Sequence, residues 1–168
     1  VHCTVASVVA DAYERLASDQ PELIFVYGET GLRTGGPFKP HKTHQNGLSV
    51  DFFVPVRDRD SRPVPLATHP FNKWGYSLEF DTQGIAGGYR LDFEAVVAHL
   101  LALDRAARAH GIAIARVLFD PEMQPLLHRS RLWPELDGRF AFSTRQSWVR
   151  HDEHYHVDFE VPCESSTP

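Results

Sequence analysis

Apolar residues recur at helical spacing in two stretches of the chain. Val5, Val8, Val9, Ala12, Tyr13 and Leu16 follow i, i+3, i+4 intervals, which predicts an amphipathic helix over residues 4–18 with Thr4 as its N-cap. Phe93, Val96, Val97, Leu100 and Leu101 form the stripe of a second helix over residues 92–110. Asp92 is its cap, Arg105 and Arg108 complement the dipole towards its far end, and Gly111 stops it. Other stretches have the character of strands: a buried one at residues 23–27 after Pro21, an alternating one at 48–54, then 112–119 and 154–161. A short helix through Met123, Leu126 and Leu127 follows Asp120-Pro121. Separated strands and helices without a repeat predict one α+β domain over residues 1–168, with a central, mostly antiparallel sheet flanked by helices, and leave α/β as the alternative.

Two connections interrupt this pattern. Residues 28–39 contain Gly31, Gly35, Gly36 and Pro37, and Gly35-Gly36 is expected to be a turn rather than a phosphate cradle, since no Lys-Ser/Thr pair follows. Residues 55–90 are rich in Pro and Gly and carry Phe71, Trp74, Tyr76, Phe80 and Tyr89. That is too long for an ordinary connector and predicts a functional loop or a small hairpin excursion.

Composition mainly excludes. A chain of 168 residues with 42% hydrophobic and 23% charged positions is not a disordered one. A net charge of -5 argues against a broad nucleic-acid footprint. No apolar run approaches the roughly 20 residues needed to span a bilayer. The chain opens at Val1 without a Met, a basic n-region or an apolar h-region, so any signal peptide is expected to have been removed or to lie outside this sequence, and the compartment stays open at this point. Cys3 and Cys163 stand near opposite ends; two free thiols and one disulfide both stay open.

The histidines bring in chemistry. Five of the ten fall in two windows, His41-Lys-Thr-His44-Gln-Asn-Gly-Leu-Ser-Val-Asp51 and His151-Asp-Glu-His154-Tyr-His156-Val-Asp158. On a strand His154, His156 and Asp158 share one face, while Tyr155, Val157 and Phe159 share the other. Ser49, Asp51 and Phe53 likewise oppose Leu48, Val50 and Phe52. Each strand can therefore turn a ligand outward and keep an apolar face for the core. Two imidazoles and a carboxylate suit zinc and leave a fourth position for water, whose pKa zinc brings from 15.7 to about 7. Further histidines beside the ligands can move protons. His2, His69, His99, His110 and His128 are expected to be solvated surface residues, and Asp152 and Glu153 solvated turn residues.

At these residues the chain resembles the penicillin-insensitive murein endopeptidases. They belong to the superfamily of zinc peptidases that also holds lysostaphin-type endopeptidases, D-Ala-D-Ala dipeptidases and the hedgehog domain. The elements are His44-x6-Asp51 in "HKTHQNGLSVDFF" and His151-x2-His154-x-His156 in "WVRHDEHYHV", with Gly35-Gly36 before and "RVLFDPEMQPLL" between them. The resemblance covers about residues 8–163 and implies one zinc ion held by His44, Asp51 and His156. It implies His154 as general base and His151 as the second catalytic histidine, stabilising the oxyanion or protonating the leaving amine. His41 and Arg33 are the candidates for bordering the site and meeting a substrate carboxylate, and Asp158 for orienting a neighbouring histidine. The implied reaction is hydrolysis of D-alanyl to meso-diaminopimelyl cross-links between peptidoglycan stem peptides. It would be insensitive to penicillin because no active-site serine exists to be acylated. The chain is poorer in cysteine than the family, and residues 55–90 depart from its pattern.

The residues leave two alternatives open: a D,D-dipeptidase or carboxypeptidase acting on small D-Ala peptides, and a non-catalytic zinc-binding module. The biological setting also stays open between wall remodelling, a lysin, and an antibacterial effector that would meet an immunity or inhibitor protein. A homodimer stays open as well.

Overall fold

The computed structural model describes residues 1–37, 43–67, 78–145 and 150–162. Its first helix, α1 (Cys3–Asp19), buries Val5, Val8, Ala12 and Leu16, the stripe its spacing predicts. Its N-cap is His2 rather than Thr4: the Thr4 N–H donates to His2 Nδ1 at 3.3 Å. The chain then reaches β1 (Ser49–Phe53) and a run of short strands, β2 (Val56–Arg57), β3 (Pro63–Val64), β4 (Ile85–Ala86) and β5 (Tyr89–Leu91). Next come α2 (Phe93–Ala109), β6 (Ala113–Leu118), α3 (Gln124–Leu127), α4 (Trp133–Leu136), β7 (Ala141–Phe142) and β8 (His154–Glu160). Asp92 caps α2 by accepting from the Ala95 N–H at 3.0 Å, and Gly111 follows its end at a φ of 71°.

The strands form two sheets of four. The larger runs β1-β8-β6-β7, antiparallel except for the β6–β7 pair, and the smaller runs β3-β2-β5-β4, antiparallel throughout. Among the described residues this is an α+β fold, as the sequence predicts. One face of the larger sheet, with Val50, Phe52, Tyr155, Val157 and Phe159, closes the apolar core against α2, which in turn packs on α1. The smaller sheet is the excursion expected in residues 55–90, tied back where Arg57 Nε meets Asp92 Oδ2 at 2.6 Å. Residues 68–77, with Phe71, Trp74 and Tyr76, lie outside the described residues.

Four expectations need correction. Residues 23–27 do not make a buried strand: the segment reaches β1 through a lone bridge, Tyr27 to Phe52, and Tyr27 is 61% exposed. Only Phe25 turns inward, stacked on His99 at 5.0 Å. His99 is no surface residue but fully buried, because α2 is covered by α1 on one side and the sheet on the other, leaving it almost no solvent face. Asp152 and Glu153 are buried too, since the turn they occupy is folded under rather than out. The outward face of β8 is likewise covered at His154 and His156, so the imidazoles sit in a buried site and not on an open surface.

Candidate metal centre and active site

The register of β1 against β8 brings the two sequence windows together. Asp51 lies directly opposite His156 and Phe53 opposite His154, and opposed residues in an antiparallel pair project side by side from one face. Asp51 is pinned along its backbone as well. Its N–H donates to the Glu29 carbonyl at 2.9 Å, and its carbonyl accepts from the Gly28 N–H at 2.6 Å. The loop carrying Gly28 and Glu29 must therefore pass close over β1. At Gly31, φ is 97° and an added Cβ would come within 2.2 Å of the His44 carbonyl oxygen, so only glycine suits the position. Gly35-Gly36 is a turn, both residues at positive φ, with the Gly36 N–H donating to the Gln45 carbonyl at 2.8 Å.

His44, Asp51 and His156 each offer a ligand atom within 4.8 Å of the others, and all three are buried. His44 Nδ1 donates to the Ser49 carbonyl at 3.2 Å. Since a carbonyl can only accept, the lone pair is left on Nε2, which lies 3.3 Å from Asp51 Oδ2. Two ligands of a tetrahedral zinc, each about 2.0–2.1 Å from the ion, stand roughly 3.3 Å apart, so this spacing fits the metal. His156 Nε2 bonds to Asp158 Oδ1 at 2.7 Å, and its Nδ1 faces Asp51 Oδ1 at 2.7 Å. A ligating histidine with its other N–H on a carboxylate is the usual metal-site arrangement, and Asp158 fills that part. Asp158 is itself held by the Ser49 hydroxyl at 2.7 Å and by Arg116 Nη2 at 2.5 Å. The donor set, two neutral-capable imidazoles and a carboxylate with an anchored second carboxylate behind one ring, fits zinc in chemistry as well as spacing.

The electrostatics agree with a cation-binding site. Burial opposes ionisation of Asp51, but the hydrogen bond and charge of the neighbouring His156 outweigh it and hold the carboxyl well below its usual range. Asp158 behaves the same way, with His156, Ser49 and Arg116 outweighing burial. Burial disfavours a charged His156, yet the bonds to Asp158 and Asp51 push its pKa up to about 9.

His154 and His151 stand beside these three, their rings 4.6 Å apart, with His151 6.4 Å from His156. His154 is buried, which lowers its pKa against the pull of Asp51. The turn before β8 is fastened at several points. Arg150 Nε meets Asp120 Oδ2 at 2.5 Å, the Asp120 N–H donates to the His151 carbonyl at 2.9 Å, and the Phe80 N–H donates to Asp152 Oδ2 at 2.7 Å. Burial, together with the Glu153 carboxyl next to it, pushes Asp152 up to about 7.

Of the other candidates, Arg33 is exposed in the turn at 32–35, and no contact among the described residues joins it to the cluster. His41, His69 and Cys163 lie outside the described residues, and Cys3 is exposed. Glu153 beside His154 and Arg116 behind Asp158 are contacts that the sequence pattern does not reveal. Alternation along residues 113–118 puts Arg116 on a face, but only the β6–β8 register pairs it with Asp158. No family model, curated protein or solved structure matches this chain. No helix among the described residues is long and apolar enough to cross a membrane.

Proposed function

We propose that this chain is a zinc-dependent peptidoglycan endopeptidase of the periplasm or the secreted space, hydrolysing D-alanyl to meso-diaminopimelyl cross-links between stem peptides. The observation that carries the reading is the pairing of Asp51 with His156 across β1 and β8. It gathers His44, Asp51 and His156 within 4.8 Å and leaves His154 and His151 alongside, unused as ligands. A site that only held a metal would have no use for two further imidazoles on its rim.

His44, Asp51 and His156 would hold the ion. Zinc supplies a Lewis acid and a water nucleophile competent near neutral pH. His154 accepts the proton of the attacking water, which burial favours by keeping its imidazole neutral. His151, one ring away, stabilises the oxyanion or returns a proton to the leaving amine. Asp158 holds His156 in one tautomer while Ser49 and Arg116 keep Asp158 ionised.

Digestion of purified sacculi, with and without chelator and read by mass spectrometry, tests this. Cross-linked dimers should fall to monomers with a new D-alanine carboxyl and a new diaminopimelyl amine, and chelator should stop it. Unchanged muropeptides would contradict the endopeptidase reading. Release of D-Ala from small peptides alone would favour the dipeptidase, and zinc binding without any cleavage the silent module.

A further inference from the structure

Glu153 is 2% exposed, and its Oε1 lies 3.1 Å from His154 Nδ1. Neighbouring side chains on a regular strand point to opposite faces, so a carboxylate one residue before a histidine does not ordinarily reach its ring. Here it does because the chain bends at residues 152–153, just before β8 begins. The bend is built rather than incidental. The Glu153 carbonyl accepts from the Val54 N–H at 3.1 Å, Asp152 Oδ2 accepts from the Phe80 N–H at 2.7 Å, and Arg150 Nη1 lies 3.4 Å from Asp152 Oδ2. Two consecutive carboxyls buried beside each other are costly unless each finds a partner, and His154 is the one within reach of Glu153 Oε1. Burial raises the pKa of Glu153; once ionised it can only accept, so the proton between it and His154 then belongs to Nδ1 and the lone pair to Nε2.

We propose that Glu153 is a positioning residue for His154: it takes the Nδ1 proton in a hydrogen bond, fixes the tautomer with a basic Nε2, and holds the ring where a substrate-side proton can be taken up. The proposal rests on His154 being the base in the reaction proposed above. It extends that reading to a carboxylate–imidazole pair, the logic by which buried acids orient catalytic histidines elsewhere. Its signature is the tautomer, which can be read without any cleavage.

Long-range 1H–15N NMR of the histidine rings in the full chain, with zinc added, is the test. The wild-type His154 ring should carry its proton on Nδ1. Glu153→Gln keeps an acceptor and should keep that tautomer, whereas Glu153→Ala should move the population towards Nε2–H. In parallel, Glu153→Ala should lower kcat for sacculus cleavage about 10–100-fold at unchanged KM and zinc content, with Glu153→Gln losing less than about 10-fold. A His154 tautomer identical in Glu153→Ala and wild type overturns the proposal. So does an Nε2–H tautomer in the wild type, a result that stands even if the alanine variant does not fold. Absence of cleavage by the wild type would defeat the endopeptidase reading and leave the ring signals to decide the role of Glu153.

Discussion

The two faces of β8 each carry a buried histidine environment, and they are opposite in character. On one face His156 lies between Asp51 and Asp158, and those carboxylates outweigh burial to push its pKa up to about 9. On the other, the Tyr155 hydroxyl bonds to His99 Nδ1 among Phe25, Phe52 and Tyr13, and burial alone takes His99 down to about 3. Depth of burial is similar, so it does not separate them. The partners do: one imidazole is set between anions in a place a cation could take, the other is a neutral part of an aromatic core.

The two faces should differ most at the proposed ligands. His156→Ala should weaken zinc binding by more than about 100-fold, beyond the loss typical of a group behind a ligand, as read by metal analysis after dialysis. His99→Phe made together with Tyr155→Phe, on the other face, should leave zinc content unchanged. The proposed base comes next: His154→Ala should retain zinc and lose about 10²–10⁴-fold in cross-link cleavage, and undiminished cleavage would remove His154 from that role. A smaller effect is expected behind the ligand. Asp158→Asn should cost about 10–100-fold in zinc affinity while cleavage by zinc-saturated protein survives in part.

The apolar face gives the mildest and most pH-specific prediction. His99, with its folded pKa depressed to about 3, stays neutral in the native chain while the unfolded chain takes up a proton near its ordinary pKa. Its contribution to stability is therefore complete above roughly pH 6.5 and is lost as pH falls towards 3, at up to roughly 1.4 kcal/mol per pH unit. Urea unfolding of metal-free protein at stepped pH should show this slope shrink in the double variant His99→Phe/Tyr155→Phe. An unchanged slope would mean that His99 is not the titrating group.

Much of the architecture was legible because periodicity survives packing. The stripes at Val5–Leu16 and Phe93–Leu101 and the alternation at 48–54 and 154–161 each match an element whose predicted apolar side packs into the core, although α2, β1 and β8 bury most of their other side as well. The strand at 23–27 misled because branched and aromatic residues signal extended backbone without saying which side is covered; this segment lies along an edge, with Phe25 alone turned in. His99 misled because a polar residue within a helical stripe looks solvated until a second helix closes over it. Glu153 and Asp152 were unreadable for a related reason: a bend buries them, and bends leave no period in the sequence. The α4 and β7 segments were missed as too short to show one.

If β1 and β8 together build a metal centre, the stoichiometry of bound zinc will show it. The 168-residue chain equilibrated with zinc and dialysed against metal-free buffer should retain one ion per chain, and His44→Ala, Asp51→Ala and His156→Ala should each lose it while keeping the wild-type fold by circular dichroism. A wild type that retains no more zinc than these variants would contradict the account.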